Sequence, residues 1–384
     1  MLTLAALFTI ILSSFSMIII KPLSGYLELT IPMVIILLIQ LLSAPAVSLT
    51  QCRYRYIYHY KGNIAITIYI SLATVVATML LIFNIEDGAM AKILGFALPV
   101  VILAVFFWGH TIFSGNLSIN IEYWKYGLMI SLPLILHSIS LNILSQSDRL
   151  MITKFCGTTY TAIYTLSYNF AILINIVLHA VNEAWLPWFH DTYFEGKIAE
   201  IRKNVKPLIV LGCFIGIGCI AIAPEAIAIL GPEEYREGVW AIAPITLGLV
   251  CQFIYQQYVH IELHLKKTSI ISLGTVFAAL INLILNFILI PRYGFVMAAY
   301  TTLASYFVLM VAHYIITMKV FKQHIYDNKF MFLVFIITCC IAILFMQLYS
   351  EQLLRYIAIV ILGLVYLYLN RKYVGVVMDK IRKR

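Results

Sequence analysis

The chain has 384 residues, of which 62% are hydrophobic and only 11% charged, and a formal net charge of +9. An ordinary soluble domain carries roughly 45–50% apolar and about 25% charged residues, so this composition excludes a water-soluble globular fold. Backbone groups in hydrocarbon must pair within their own segment, which predicts an all-α, polytopic membrane protein, with about 12 transmembrane helices by the count of apolar runs.

A bilayer is crossed by about 20 apolar residues. Runs of that kind fall near 2–20, 29–50, 64–83, 91–109, 127–150, 161–181, 205–230, 239–261, 269–290, 295–318, 330–348 and 354–370. No Lys or Arg precedes the first run and it matches the others in length, so it is read as a retained span and not as a cleaved signal. Pro32, Pro45, Pro99, Pro133, Pro224 and Pro244 predict kinks. Gly212 and Gly216, four residues apart, predict a close helix contact.

The basic residues orient these spans. Nineteen Lys and Arg fall in the tail and in the loops on its side of the membrane, against seven on the other side. By the positive-inside rule both termini are cytoplasmic and the number of spans is even. Because the cations sit in short loops between apolar runs, the positive charge reflects topology and not a nucleic-acid face. The basic tail, 371–384, is expected to lie against anionic membrane lipids. Seven cysteines without a C-x-x-C spacing read as packing residues.

Polar side chains inside spans carry the functional signal, since an Asp or Arg at mid-membrane costs roughly 3 kcal/mol unless it meets a partner or water. On the span 127–150, Ser131, Ser138, Asn142, Ser145 and Arg149 share one helical face, with Asp148 alongside and His137 on the same helix. The next span carries Tyr164, Tyr168, Asn175, His179 and Asn182, and leaves the membrane through Glu183, Trp185, Pro187 and Trp188. Two adjacent polar faces predict a shared lumen. Adjacent residues make a poor ion pair, so Asp148 and Arg149 each need a partner elsewhere, with His179 and Asn175 the candidates. Later spans add Gln252, Gln256 and His260, then Thr275, Asn282 and Asn286; these residue types also join helices by hydrogen bonds, and for the two asparagines both roles stay open. His313, alone in its span, reads as a packing or locally hydrogen-bonded residue. Arg53 and Arg55, interleaved with tyrosines after the second span, either anchor a helix end at the interface or meet phosphate and sugar.

Catalytic motifs are absent from the sequence. It has no G-x-x-x-x-G-K-[ST] phosphate loop, no H-E-x-x-H, no His/Cys metal-ligand cluster and no G-x-S-x-G. The short acidic loop 231–238, with Glu233, Glu234 and Glu237, is the nearest approach to an external catalytic segment and reads as solvated. No enzyme activity, cofactor or metal is expected.

The runs SLPLILHSISLNILSQSDRLMI and AIYTLSYNFAILINIVLHAVNEAWLPWF, with APEAIAILGPEEY and INLILNFILIPRYGFVMAAYTTLASY further on, resemble the polysaccharide-exporter branch of the multidrug/oligosaccharidyl-lipid/polysaccharide flippase superfamily. The resemblance implies translocation of undecaprenyl-diphosphate-linked oligosaccharide for capsule, O-antigen or exopolysaccharide, by alternating access in the bacterial plasma (inner) membrane. It places the polar corner at the entry to the second lobe, which in the family begins at the seventh helix. Here that helix is the fifth, so the first two family helices are expected to be missing. The implied division is an incomplete four-helix lobe at 1–126, a six-helix lobe at 127–318, and two additional helices with the tail at 319–384. Substrate-path candidates are Arg149, Asp148, Asn142, His137, Asn175, His179, Glu183, Arg53 and Arg55, with cations for the diphosphate and Tyr, Trp and Asn for sugars. Expected partners are the lipid-linked oligosaccharide, membrane lipids, and a polysaccharide polymerase with its chain-length machinery. An ion-coupled drug or small-solute antiporter of the same superfamily is the alternative, with Asp148, Glu183, His137 and His179 as titrating groups.

Overall fold

The computed structural model describes residues 2–27, 29–113 and 120–371. These residues form α-helices α1 (Leu2–Ile18), α2 (Ile20–Leu27), α3 (Ile31–Tyr56), α4 (Tyr60–Asn84), α5 (Gly88–Phe113), α6 (Ile121–Cys156), α7 (Thr158–Phe194), α8 (Ile198–Ala221), α9 (Ala223–Leu230), α10 (Val239–His264), α11 (Thr268–Tyr293), α12 (Met297–Ile315), α13 (Asn328–Gln347) and α14 (Gln352–Leu369). A 3-10 turn at Glu233–Gly238 precedes α10, and a π-helical segment, Ile316–Val320, continues α12. Eleven of the described helices are long and apolar enough to cross a membrane, and the bent pair α1–α2 makes up to twelve.

Each apolar run in the sequence corresponds to one helix or broken helix. Two differences have physical causes. The first run is not one rod, because α1 and α2 meet at 84°, with Lys21 and Pro22 just past the break. The fifth and sixth runs extend well beyond their apolar stretches to 36 and 37 residues, since a helix once nucleated continues into water on polar residues. The basic tail beyond Arg371 lies outside the described residues.

The chain divides into two compact units, Met1–Met129 and Ile130–Arg384, the boundary falling within α6. In the first unit α3 packs on α1, α4 and α5. Gly95 of α5 makes that packing possible: a Cβ there would lie 2.6 Å from Cα of Thr78 on α4. Small Ala46, Ala97 and Ala104 are buried in the same unit, as expected where backbones approach closely. Arg53 and Arg55 occupy the last turn of α3, where cations favour the negative end of the helix dipole.

In the second unit α10 is the central helix, 83% buried along its most apolar stretch, against 6% for α4 in the first unit. It packs on α7, α8 and α12. Gly212 and Gly216 are the close contact expected from their spacing, with Phe253 and Val250 of α10 seated over them. Gly157, at φ +100°, turns the chain between α6 and α7 in a single residue, a conformation that any Cβ would strain. Outward surfaces such as Leu72, Val76 and Met79 of α4 or Val360, Ile361 and Leu364 of α14 are exposed hydrocarbon, as a bilayer requires.

Gly95→Ala is expected to push α4 from α5 and lower stability by about 1–3 kcal/mol. Gly88→Ala, with no atom within 4 Å of the new Cβ, is the control. Thermal melts of the purified protein in detergent check the pair.

Candidate functional site

Two neighbouring residues of α6 define the site and point into different surroundings. Asp148 is wholly buried. Its Oδ2 accepts hydrogen bonds from Tyr164 Oη of α7 and Thr302 Oγ1 of α12, both at 2.7 Å, and its Oδ1 accepts one from Asn286 Nδ2 of α11 at 2.7 Å. A second ring of bonds closes around these. Asn282 donates to Thr302 Oγ1 at 3.2 Å and accepts from Asn286 at 3.1 Å and from Ser147 at 3.3 Å, while Thr301 donates to the Asn286 carbonyl. Four helices meet in this network. An unpaired polar group there would cost about 1–3 kcal/mol, so the bonds fix the helices' register.

Arg149 takes the other direction. One guanidinium nitrogen donates to Ser145 O at 3.2 Å and to the Gln146 side chain. The guanidinium carbon lies 4.5 Å from the centre of the Tyr168 ring, a cation–π contact. Its buried Nε has no hydrogen-bond partner. Arg149 lines a cavity of about 430 Å³ together with Asn142, Ser145 and Gln146 of α6, Tyr168, Asn169 and Asn175 of α7, Gln252 of α10 and Tyr306 of α12. Spacings of three and four residues bring 142, 145, 146 and 149 to one face of α6, and 165, 168, 169, 172 to one face of α7. The chamber therefore offers one planar cation, side-chain amides and two phenols, a set able to pair with an anion and with hydroxyl groups.

The other sequence candidates divide around this chamber. Asn142, Arg149 and Asn175 line it. His137, also on α6, instead meets Thr275 of α11 through Nδ1 at 2.6 Å. His179 is exposed and Glu183 half-buried on α7. Arg53 and Arg55 belong to the other unit. The partners expected for Asp148, His179 or Asn175, are corrected to Tyr164, Asn286 and Thr302, because a turn of 100° per residue carries Asp148 away from the face that holds Arg149. Asn282 and Asn286, for which two roles were open, are interhelical links, both fully buried.

Glu262 escaped the sequence reading. Sitting near the end of α10 among His260, His264 and Lys266, it resembles the edge of a loop; the structure buries it completely. His313 Nδ1 of α12 lies 2.9 and 3.0 Å from its two oxygens, and Thr317 Oγ1 donates to it at 3.4 Å. The lone His313, expected to pack or to bond locally, instead has a buried carboxylate on another helix as its partner. Gln257 and His260 of the same helix meet Asn182 Oδ1 at 3.3 and 2.8 Å.

Asp148→Ala strands three donors and is expected to reduce the yield and melting temperature of folded protein, at about 1–3 kcal/mol for each donor left unpaired. Arg149→Gln alters only the chamber wall and is expected to leave both near wild type. Glu262→Leu should destabilise more than Glu262→Gln, which keeps an acceptor for His313; gel filtration and melts of the four variants compare them.

Comparison with known proteins places this architecture. Residues 1–239 match the family model described as "Polysaccharide biosynthesis protein". The capsular polysaccharide biosynthesis protein CapF of Staphylococcus aureus is 22% identical over 214 residues, 53% of this chain, and the chain spans about half, 52%, of that relative's length. Among solved structures, a point mutant of the Vibrio cholerae MATE transporter VcmN superposes with a TM-score of 0.68 at 13% identity, covering 84% of this chain and 78% of the other. A MATE in complex with MaL6 gives 0.67 at 14%, covering 81% and 76%. The lipid II flippase MurJ in its inward closed conformation gives 0.56 at 14%, covering 97% and 82%. The fold is that of the MATE transporters and of the flippase MurJ. The chain belongs to the polysaccharide biosynthesis family matched by its first 239 residues, and is a multi-pass membrane protein.

Proposed function

We propose that the protein is a flippase that moves undecaprenyl-diphosphate-linked oligosaccharide across the bacterial plasma membrane for assembly of capsule, O-antigen or exopolysaccharide. The observation that carries this reading is the chamber at Arg149. A diphosphate crossing hydrocarbon needs a cation that is not already neutralised, and Arg149 is held by a carbonyl, an amide and an aromatic face, with no ion pair to a carboxylate among the described residues. Guanidinium nitrogens pair bidentately with phosphate oxygens. Sugars present many hydroxyls and flat apolar faces, for which Asn142, Asn169, Asn175 and Gln252 supply donors and acceptors and Tyr168 and Tyr306 supply rings. The family description and the capsular relative support the same substrate class. Alternate opening of the chamber to the two sides of the membrane completes the cycle, and a polysaccharide polymerase with its chain-length machinery receives the unit outside.

Loss of the protein is expected to leave lipid-linked repeat units in the cytoplasmic leaflet and to abolish surface polysaccharide. Single units reaching the outer leaflet at the normal rate would overturn the proposal. Unchanged polysaccharide with altered drug tolerance would favour the antiporter. Arg149→Gln should reduce export about tenfold or more, the equivalent of about 1.4 kcal/mol or more in phosphate pairing, at normal protein level; Arg149→Lys should restore only part, because it keeps charge without the fork. Leaflet-specific labelling of the lipid-linked sugar measures both.

Orientation follows from the Lys/Arg asymmetry, with both termini cytoplasmic. In a cysteine-free background, Lys154→Cys and Glu233→Cys should react with an impermeant thiol reagent added outside. Protection of both positions would reverse the topology.

A further inference from the structure

A second cavity lies well apart in the sequence from the chamber, on α8, α13 and the end of α14. It has a volume of about 490 Å³ and is lined by Ala199, Arg202, Lys203, Lys206, Pro207 and Val210 of α8, with Phe330 of α13 and Asn370. Its two parts differ in chemistry. The rim is cationic: positions 202, 203 and 206 fall on adjoining faces of the first turns of α8. The floor is apolar, made by Ala199, Pro207, Val210 and the Phe330 ring. Further along the helices, Phe214 of α8 stacks on Tyr366 of α14, with ring centres 4.0 Å apart and planes within 17°.

The rim is a built structure and not three loose side chains. Arg202 Nε donates to Ile325 O at 2.9 Å, and a second guanidinium nitrogen donates to His324 O at 2.5 Å. Lys206 Nζ lies 2.6 Å from Asp327 Oδ2 and 4.9 Å from the centre of the Phe330 ring. Asp327 also caps α13 by accepting the Phe330 N–H at 3.2 Å. The Lys206 hydrogen bond, followed by that N–H, holds its carboxyl below the usual carboxylate range, so near neutral pH it stays ionised and offsets Lys206. Three cations thus face one anion. The guanidinium of Arg202 hydrogen-bonds to two backbone carbonyls, and Lys203 is exposed, with no ion-pair partner among the described residues. By the Lys/Arg asymmetry this rim faces the cytoplasmic leaflet.

We propose that this groove binds the headgroup of one anionic glycerophospholipid, the phosphate at Arg202 and Lys203 and the upper acyl chain over Pro207, Val210 and Phe330. A small soluble anion would have no use for the apolar floor, and a zwitterionic lipid brings no net charge to the rim. Basic pockets between membrane helices on the cytoplasmic side recognise anionic headgroups on this principle. The bound lipid braces the α13–α14 pair against α8, a function separate from the Arg149 chamber.

The full chain, reconstituted in nanodiscs of equal parts phosphatidylglycerol and phosphatidylcholine and released for native mass spectrometry, tests the assignment. Wild type should retain phosphatidylglycerol over phosphatidylcholine about tenfold. Lys203→Glu should abolish that preference and Lys203→Arg should keep it. Val210→Trp fills the floor without changing charge and should release the lipid as well; a monodisperse gel-filtration profile confirms that each variant is folded. Equal retention of the two lipids, or an unchanged preference in Lys203→Glu, overturns the proposal. So does displacement by glycerol 3-phosphate at the concentration at which the whole lipid competes, since the floor would then contribute nothing. Preferential displacement by a polyprenyl diphosphate would give the groove to the transported substrate instead. Because Arg149 is remote from these residues in sequence and absent from the lining, loss of lipid binding leaves the flippase reading standing, and the reverse holds.

Discussion

A carboxylate removed from water must be supplied with donors by the protein, and three helices packed around α6 do so at once for Asp148. Tyr164, Asn286 and Thr302 each direct a hydrogen at it, and Asn282 directs its own at Thr302. Because the bonds come from α6, α7, α11 and α12, none of these helices can slide or rotate about its axis without breaking one of them. Van der Waals packing alone is weakly directional in a bilayer, where lipid tails are as apolar as leucine. The network supplies the direction. It also leaves the next residue, Arg149, turned about 100° around α6, so that a structural carboxyl and a chamber-lining cation occupy consecutive positions.

The spans were legible because hydrocarbon thickness imposes a length that composition alone reveals. What periodicity could not give was the neighbour of each polar face. Asp148 and Arg149 read as one stripe, and a difference of one residue decides between a buried network and a chamber wall. Glu262 shows the complementary failure. Its partner His313 is 51 positions away, and near a helix end beside lysines a glutamate reads as surface. The break after Ile18 left only a local trace, Lys21 and Pro22, too close to the end of the span to separate from an ordinary loop.

The two cavities divide polar chemistry between two kinds of contact. One places a cation among amides and phenols. The other pins its cations to carbonyls and to Asp327 over an apolar floor. In both an arginine is held in place by neutral groups, which orients the charge without consuming it.

The π-helical segment Ile316–Val320 sits directly after His313 and contains Thr317, a donor to Glu262. A π turn closes its hydrogen bonds over one residue more than an α turn and so stores a single surplus position in the helix. Passing that surplus one step along α12 would leave the helix length nearly unchanged while rotating the displaced side chain by about 100°. Which side chain joins His313 at Glu262 therefore depends on where that surplus residue sits, and in this structure it is Thr317.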